Sequence, residues 1–266
     1  DRRAARPAMG LLSGKVVLVS GGTQGVGAAV ARAAAREGAA VAVTGRRPEP
    51  GKAIVAELES TGADARFVRC DVADLDAVRA CVAEVVEAFG RVDGLVNAAG
   101  LVDRGTLLDT TPELFDRHVA INLRGPFFLM QAVVADMRRR GTPGSIVNIG
   151  STSAHGGQPF LAPYVAAKAG LAGLTRNIAH AHRFDRIRVN DLQIGWTATE
   201  GEDAIQRGAH GATDGWARRA GEELPMGRLG DPDEIAAMVV FLLSDRSGVV
   251  TGSVVDWDQN VLGGLD

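Results

Sequence analysis

The sequence predicts an α/β fold: a doubly wound parallel sheet of about seven strands with helices on both faces. Two observations carry this. Short β-branched runs alternate along the chain with longer alanine-rich stretches. The short runs are apolar almost throughout, as in KVVLVS and AVAVT, which is the pattern of strands covered on both sides. No linker, repeat or low-complexity tract interrupts the alternation, so residues 1–266 read as one domain.

In order, residues 15–20 form the first strand. Residues 25–37 form a helix with small residues on its packing face. Residues 40–44 are the second strand and 52–60 a helix. Residues 65–70 are the third strand, 74–89 a long amphipathic helix and 93–97 the fourth strand. Thr111 followed by Pro112 reads as an N-cap and first helical residue. Residues 144–150 are the fifth strand, 162–181 a helix and 187–192 the sixth strand. Residues 196–225 are irregular, with helix-like patches, and read as a lid over a substrate. Asp231, Pro232 and Glu234 open a helix that runs to Leu243, and 254–257 close the sheet.

Composition narrows the function classes. The net charge is −3, which gives no global pull toward nucleic acid or an anionic membrane. No apolar run is long enough for a membrane span. Cys70 and Cys81 stand without a CxxC pattern, so they read as small buried hydrophobes in a reducing cytoplasm, with no disulfide framework and no metal site. Residues 1–10 are arginine-rich without an apolar core. They read as a poorly ordered leader or appended stretch, with Met9 a candidate start.

After the first strand comes Gly21-Gly22-Thr23-Gln24-Gly25-Val26-Gly27. Glycines between a strand and a helix permit a tight turn, bring backbone N–H groups close to a pyrophosphate, and point a helix N-terminus at its charge. In this context the loop is the dinucleotide site of a Rossmann-like sheet. An NAD site usually carries an acid at the end of the second strand, about 20 residues on, for the ribose 2′-hydroxyl. Here Gly45 stands in that place, followed by Arg46 and Arg47, whose guanidinium groups suit a 2′-phosphate. NADP(H) is therefore favoured and NAD(H) remains an alternative. Gln24, which is not basic, pulls against the phosphate reading. Asp71 and Val72 end the third strand, where an adenine would lie. Asn97, Ala98, Ala99 and Gly100 end the fourth, where small residues leave room for cofactor.

Tyr164 and Lys168 are four apart, on one helix face, and Tyr164 is the chain's sole tyrosine. A phenol with an ordinary pKa of about 10 needs a neighbouring cation to exchange protons near neutrality. Ser151 lies just past the fifth strand.

Taken together, the glycine loop, Asn97-Ala98-Ala99-Gly100, Asn122, Ser151, Tyr164-x-x-x-Lys168 and the exit from the sixth strand resemble the short-chain dehydrogenase/reductase family over roughly residues 13–260. The resemblance implies roles. Tyr164 would be the general acid/base, and Ser151 would polarise the substrate oxygen. Lys168 would lower the tyrosine pKa and bond the nicotinamide ribose. Asn122 would hold a water linking Lys168 to solvent. Gly195, Thr197 and Thr199 would contact the nicotinamide amide. The substrate would be a small secondary alcohol or ketone, lined by Ser153, His155, Phe160 and Trp196. The helices at 116–138 and 162–181, with the last strand, resemble surfaces that the family uses to build homotetramers or dimers.

The chain departs from the family at the sixth-strand exit, where Ile194 stands for a proline and leaves the loop less rigid. Glu200, Glu202, Asp203, His210 and Trp216 lie in the lid stretch, and its acids read as solvated helix charges, the alternative being bonds to a polyol or a cationic group. Two other readings use the same fold, a non-redox reaction and a non-catalytic dinucleotide-binding protein. Stoichiometric NADPH consumption with a ketone separates them from the redox reading.

Overall fold

Residues 10–261 are described by a computed structural model. Seven strands lie parallel in the order β3-β2-β1-β4-β5-β6-β7. Order reverses between β1 and β4, which is the switch point where doubly wound sheets bind ligands.

Strand β1 (Val16–Ser20) leads into α1 (Gly25–Arg36), and β2 (Ala40–Gly45) into α2 (Pro48–Ser60). Helix α2 begins four residues before the expected Lys52. Pro48 sits in its first turn, where N–H groups have no intrahelical partner and proline costs nothing. Strand β3 (Ala65–Arg69) precedes α3 (Leu75–Phe89), whose first-turn N–H groups donate to the Asp74 carboxylate. Strand β4 (Gly94–Asn97) is followed by α4 (Pro112–Val119), capped by Thr111 as expected. A π-helical turn, Ala120–Arg124, joins α4 to α5 (Gly125–Arg140). Strand β5 (Gly144–Ser151) leads through a 3₁₀ turn to α6 (Ala162–His182).

Strand β6 (Ile187–Ile194) runs two residues past its expected end. Ile194 pairs with Ser151 on one side and Trp257 on the other, so the strand continues through the position where the proline was expected. The stretch expected to be irregular contains α7 (Glu200–His210), capped by Thr199, and α8 (Trp216–Glu222). Helix α9 (Pro232–Leu243) starts at its Asp231 cap, and β7 (Val254–Trp257) closes the sheet.

The alternation of strand side chains divides the core. Val17 and Val19 join α1, α2 and α9 on one face, while Val16 and Leu18 join α3, α5 and α6 on the other. Cys70 and Cys81 are free, buried members of the second cluster. Of the leader expected at residues 1–10, all but Gly10 lie outside the described residues. Gly10 itself belongs to the fold: its carbonyl accepts from Ser13 N, and a Cβ there would sit 2.3 Å from the Glu37 carbonyl oxygen.

One buried ion cluster ties α5 to the strand entering the site. The Asp136 carboxylate, 6% exposed, accepts from Arg139 at 2.6 Å, Arg140 Nε at 2.8 Å and Val92 N at 3.3 Å. Burial pushes its carboxyl up, but the two arginines and the backbone bond outweigh this and hold it below the ordinary range. Asp136→Ala leaves Arg140 with Asp93, 3.7 Å away, as its remaining carboxylate, and the expected cost is about 2 kcal/mol, a Tm lower by roughly 6 °C. Because the folded pKa is lowered, the carboxylate's contribution is full above the unfolded carboxyl pKa of about 4 and fades as pH falls through the folded value. Thermal unfolding at neutral pH checks this, and an unchanged Tm refutes it.

Candidate active site

Register places the carboxyl ends of the central strands level. Ser20 pairs with Asn97, Asn97 with Asn148, and Ser151 with Ile194. A cavity of about 670 Å³ runs along this edge.

At one end, α1 opens with Gln24 as N-cap, extended and without a side-chain cap bond. Its first-turn N–H groups are therefore available to an anion. Gly21 and Gly25 have φ of 73° and 53°, conformations that glycine reaches freely. A Cβ on Gly27 would sit 2.2 Å from the Gly21 carbonyl oxygen, and one on Gly21 would sit 2.6 Å from the Ala99 backbone. The loop is thus packed so closely that only glycine backbone fits, which leaves its outer face open as a phosphate cradle. Gly21, Thr23, Gln24, Gly25, Val26 and Gly27 all line the cavity.

Arg46, Arg47, Asp71 and Val72 line the same end. Arg47 donates to Gln24 Oε1 at 2.5 Å, so Gln24 holds one of the two exposed arginines at the cavity mouth. Neither arginine has a carboxylate within ion-pair distance among the described residues. Asp71 accepts from Ala73 N at 3.0 Å.

At the other end are Ser151, Tyr164 and Lys168. Helical spacing sets Tyr164 and Lys168 on one face, with the ammonium 5.7 Å from the centre of the phenol ring. Lys168 is 5% exposed and donates to the Ile149 carbonyl at 2.7 Å. Burial pushes the Tyr164 phenol up to about 12, against a hydrogen bond with Ser151 that lowers it. Burial brings the Lys168 ammonium down to about 8, and the nearby charge of Asp191 works the other way. Asp191, buried on β6, is itself raised to about 6 by desolvation, with Lys168 opposing.

Asn122 does not line the cavity. Its amide holds the backbone of Leu101, accepting from Leu101 N at 3.0 Å and donating to Leu101 O at 2.9 Å. Leu101 and Gly100 do line the cavity, so Asn122 shapes its wall from behind. Asn97, expected at the cofactor, is turned into the sheet: its Nδ2 donates to Asn148 Oδ1 at 2.8 Å, and Asn148 donates on to Thr175. Ala98, Ala99 and Gly100 form the surface there instead. His155 also departs from expectation. The turn after β5 carries it away from the cavity to the surface, where its Nε2 lies 2.9 Å from Asp256 Oδ1.

Ser153, Phe160, Gly195, Trp196, Thr197 and Thr199 line the cavity as expected. Trp196 stacks on Trp216 and donates to Glu202 at 2.8 Å. Glu202, read from sequence as solvated, lines the cavity, as does His210, whereas Asp203 is engaged by Arg207 and Trp216. Sequence reasoning missed Arg104 and Gln206, which also line it. Arg104 donates to His210 Nε2 at 3.3 Å and lies over the Phe160 ring. Its place shortly after the end of β4 was the available signal.

The stretch bearing these residues is anchored at both ends to the end of the sheet. Gly195 N donates to Trp257 O at 3.1 Å. Met226 N donates to Gln259 Oε1 at 2.7 Å, and Gln259 donates back to Arg228 O at 2.8 Å.

Known proteins share this arrangement of chain. The family model described as enoyl-(acyl carrier protein) reductase matches residues 21–260. An oxidoreductase of Thermotoga maritima is 38% identical, covering 92% of this chain and 96% of its own. An L-rhamnose 1-dehydrogenase (NAD(P)(+)) of a Sphingomonas species is 38% identical, covering 93% and 96%. Among solved structures, a variant of actinorhodin polyketide ketoreductase with NADPH is 33% identical and superposes with a TM-score of 0.87, over 92% of this chain and 96% of that one.

Proposed function

The chain belongs to the short-chain dehydrogenase/reductase family, and from that membership we propose that it moves a hydride between NADP(H) and a secondary alcohol or ketone, with Tyr164 as general acid/base. Members of this family are oxidoreductases that act on CH–OH and C=O groups with a nicotinamide dinucleotide. The observation that carries the finer reading is one continuous cavity. It has an uncapped helix N-terminus and two arginines without a carboxylate partner among the described residues at one end, and Ser151, Tyr164 and Lys168 at the other.

When bound, the nicotinamide supplies or takes the hydride. The protein's part is the proton and the charge. In reduction, Tyr164 gives its phenolic proton to the substrate oxygen as that oxygen gains negative charge. Ser151 donates a hydrogen bond to the same oxygen and polarises the carbonyl beforehand. Lys168, buried and cationic beside the phenol, lowers the cost of the phenolate that remains. Asn122 keeps the Leu101 wall in place. In oxidation the same groups act in reverse. Phe160 and Trp196 would give the substrate an apolar wall, and Gln158, Glu202 and Gln206 would offer hydrogen-bonding groups.

Arg46 and Arg47 would take the 2′-phosphate. Wild type is expected to bind NADPH about tenfold or more tightly than NADH, and Arg46→Ala and Arg47→Ala to remove most of that margin. Quenching of tryptophan fluorescence on titration measures both. Equal or tighter NADH binding turns the reading toward NAD-linked alcohol oxidation at the same site; the NAD(P)(+) in the name of the Sphingomonas relative keeps that second reading open. Stoichiometric NADPH oxidation in a ketone screen tests the reaction class. The same reading carries residues 196–225 as the substrate lid of one domain, assembly as a homotetramer or dimer, and a cytoplasmic location. No described helix is long and apolar enough to cross a membrane.

A further inference from the structure

Behind the reaction end of the cavity lies a histidine that the mechanism above does not use. His118, on α4, is 0% exposed. Its Nε2 lies 3.1 Å from the Asp103 carbonyl oxygen, and its Nδ1 lies 3.2 Å from Asn122 Nδ2. Its ring stands edge-on to Tyr164, with centroids 6.1 Å apart and planes at 76°.

These contacts fix its state. A carbonyl oxygen only accepts, so Nε2 carries the proton. Asn122 already accepts from Leu101 N through Oδ1, so its Nδ2 is the end that faces His118, and Nδ1 must present its lone pair. One arrangement alone satisfies every atom: a neutral imidazole protonated on Nε2. An imidazolium would put an N–H against an NH₂. Turning the asparagine amide to relieve that clash would break both bonds to Leu101.

We propose that His118 is a positioning residue that locks the orientation of the Asn122 amide and, with the Asp103 carbonyl, fixes the residue 101–103 wall beside Tyr164. This rests on the reading of Tyr164 as the acid/base. The π-helical turn Ala120–Arg124 is the backbone form of the same device: it follows directly on the helix that carries His118 and contains Asn122. The wall leads straight into Arg104, so the lock also sets where that guanidinium enters the cavity.

Burial and charge oppose each other at this ring, and burial prevails: the pKa lies below the ordinary imidazole value. Burial lowers the imidazole's pKa most, the Asp103 backbone bond and carboxylate raise it, and Arg117 lowers it. Asp103 and Arg117 are themselves paired at 3.3 Å, and from α6 the facing group is the uncharged Tyr164 phenol.

The test has two arms. The chain has five histidines. ¹⁵N NMR of labelled protein, with His118→Gln identifying the resonance by its loss, is expected to show His118 neutral and protonated on Nε2 at pH 7. A neutral Nδ1–H form, or a cation at pH 7, overturns the proposal. The second arm is kinetic, with NADPH and a ketone that the wild type reduces. His118→Phe keeps the ring volume but offers no nitrogen, and kcat should fall about tenfold or more with KM nearly unchanged, as for a misplaced wall. His118→Gln can accept from Asn122 and donate to Asp103, and should restore kcat to within about threefold. Wild-type kcat should decline toward acid pH as His118 protonates, and that limb should vanish in His118→Gln. A His118→Phe enzyme with wild-type kcat overturns the proposal, even if its Tm is lower. If the wild type reduces no ketone with either nucleotide, the oxidoreductase reading has failed, and the NMR arm still decides the state of His118 on its own.

Discussion

Tyr164→Phe is expected to lower kcat/KM for ketone reduction by roughly 10³-fold, about 4 kcal/mol of transition-state stabilisation, while leaving NADPH affinity within about twofold. The substitution removes one oxygen and keeps the ring. The edge contact with His118 and the fit of α6 against the cavity therefore persist. What disappears is the proton that must reach the substrate oxygen. The phenol also predicts the shape of the pH profile. Burial pushes it up to about 12, so it is protonated throughout the neutral range. Reduction, which consumes that proton, should not be limited by the phenol anywhere in the neutral range, so that any acid limb belongs to His118. Oxidation needs the phenolate, and should rise with pH toward the value that Lys168 and a bound nicotinamide cation set. A Tyr164→Phe protein with undiminished turnover would place the acid elsewhere, and one with no activity to lose in the wild type would favour the non-catalytic reading.

Gly27→Ala should be nearly as damaging by another route. The added Cβ would lie 2.2 Å from the Gly21 carbonyl oxygen and 2.8 Å from its carbon, both backbone atoms with nowhere to go. Overpacking of this kind costs about 1–3 kcal/mol. The only relief is to part α1 from the loop, which dismantles the phosphate cradle, so NADPH affinity should fall by about 100-fold or more. Gly173→Ala is the control. It lies on the exposed side of α6 with nothing within 4 Å of a Cβ, and should be neutral or slightly stabilising. Melting curves and fluorescence titrations of the two variants decide. Matching behaviour would mean that the loop tolerates a side chain and is no close-packed cradle.

What the sequence made legible follows from the range of the physics involved. Alternation of apolar runs gave the strands, and the Thr111 and Asp231 caps gave helix starts, because each is decided within a few residues. Helix α2 starts four residues before Lys52, because a first helical turn tolerates both Pro48 and Pro50. The cavity end of the glycine loop was legible for the same local reason. Asn97 and His155 were misassigned because position along the chain says which strand end a residue occupies. It does not say which way the side chain turns, and distant partners, Asn148 and Asp256, settled that. His118 carried no local signal, and Arg104 only its place shortly after the end of β4. Their meaning comes from Asp103, Asn122 and His210, brought together by crossovers.

Ile194, Gly195 and Gln259 together make the covering segment an arch rather than a flap. One foot stands where Ile194 is woven into the sheet and Gly195 is tied to Trp257. The other foot, Met226 to Arg228, is gripped by Gln259, two residues further along the same strand exit. A flap with one free end can swing clear of its opening. An arch with both feet on one footing can only flex at its crown, in α7 and α8. Under the proposed reading of this segment as a substrate lid, the opening lies between the crown and Arg104, at the Phe160–His210 edge, and its width follows how far the crown bows while its feet stay put.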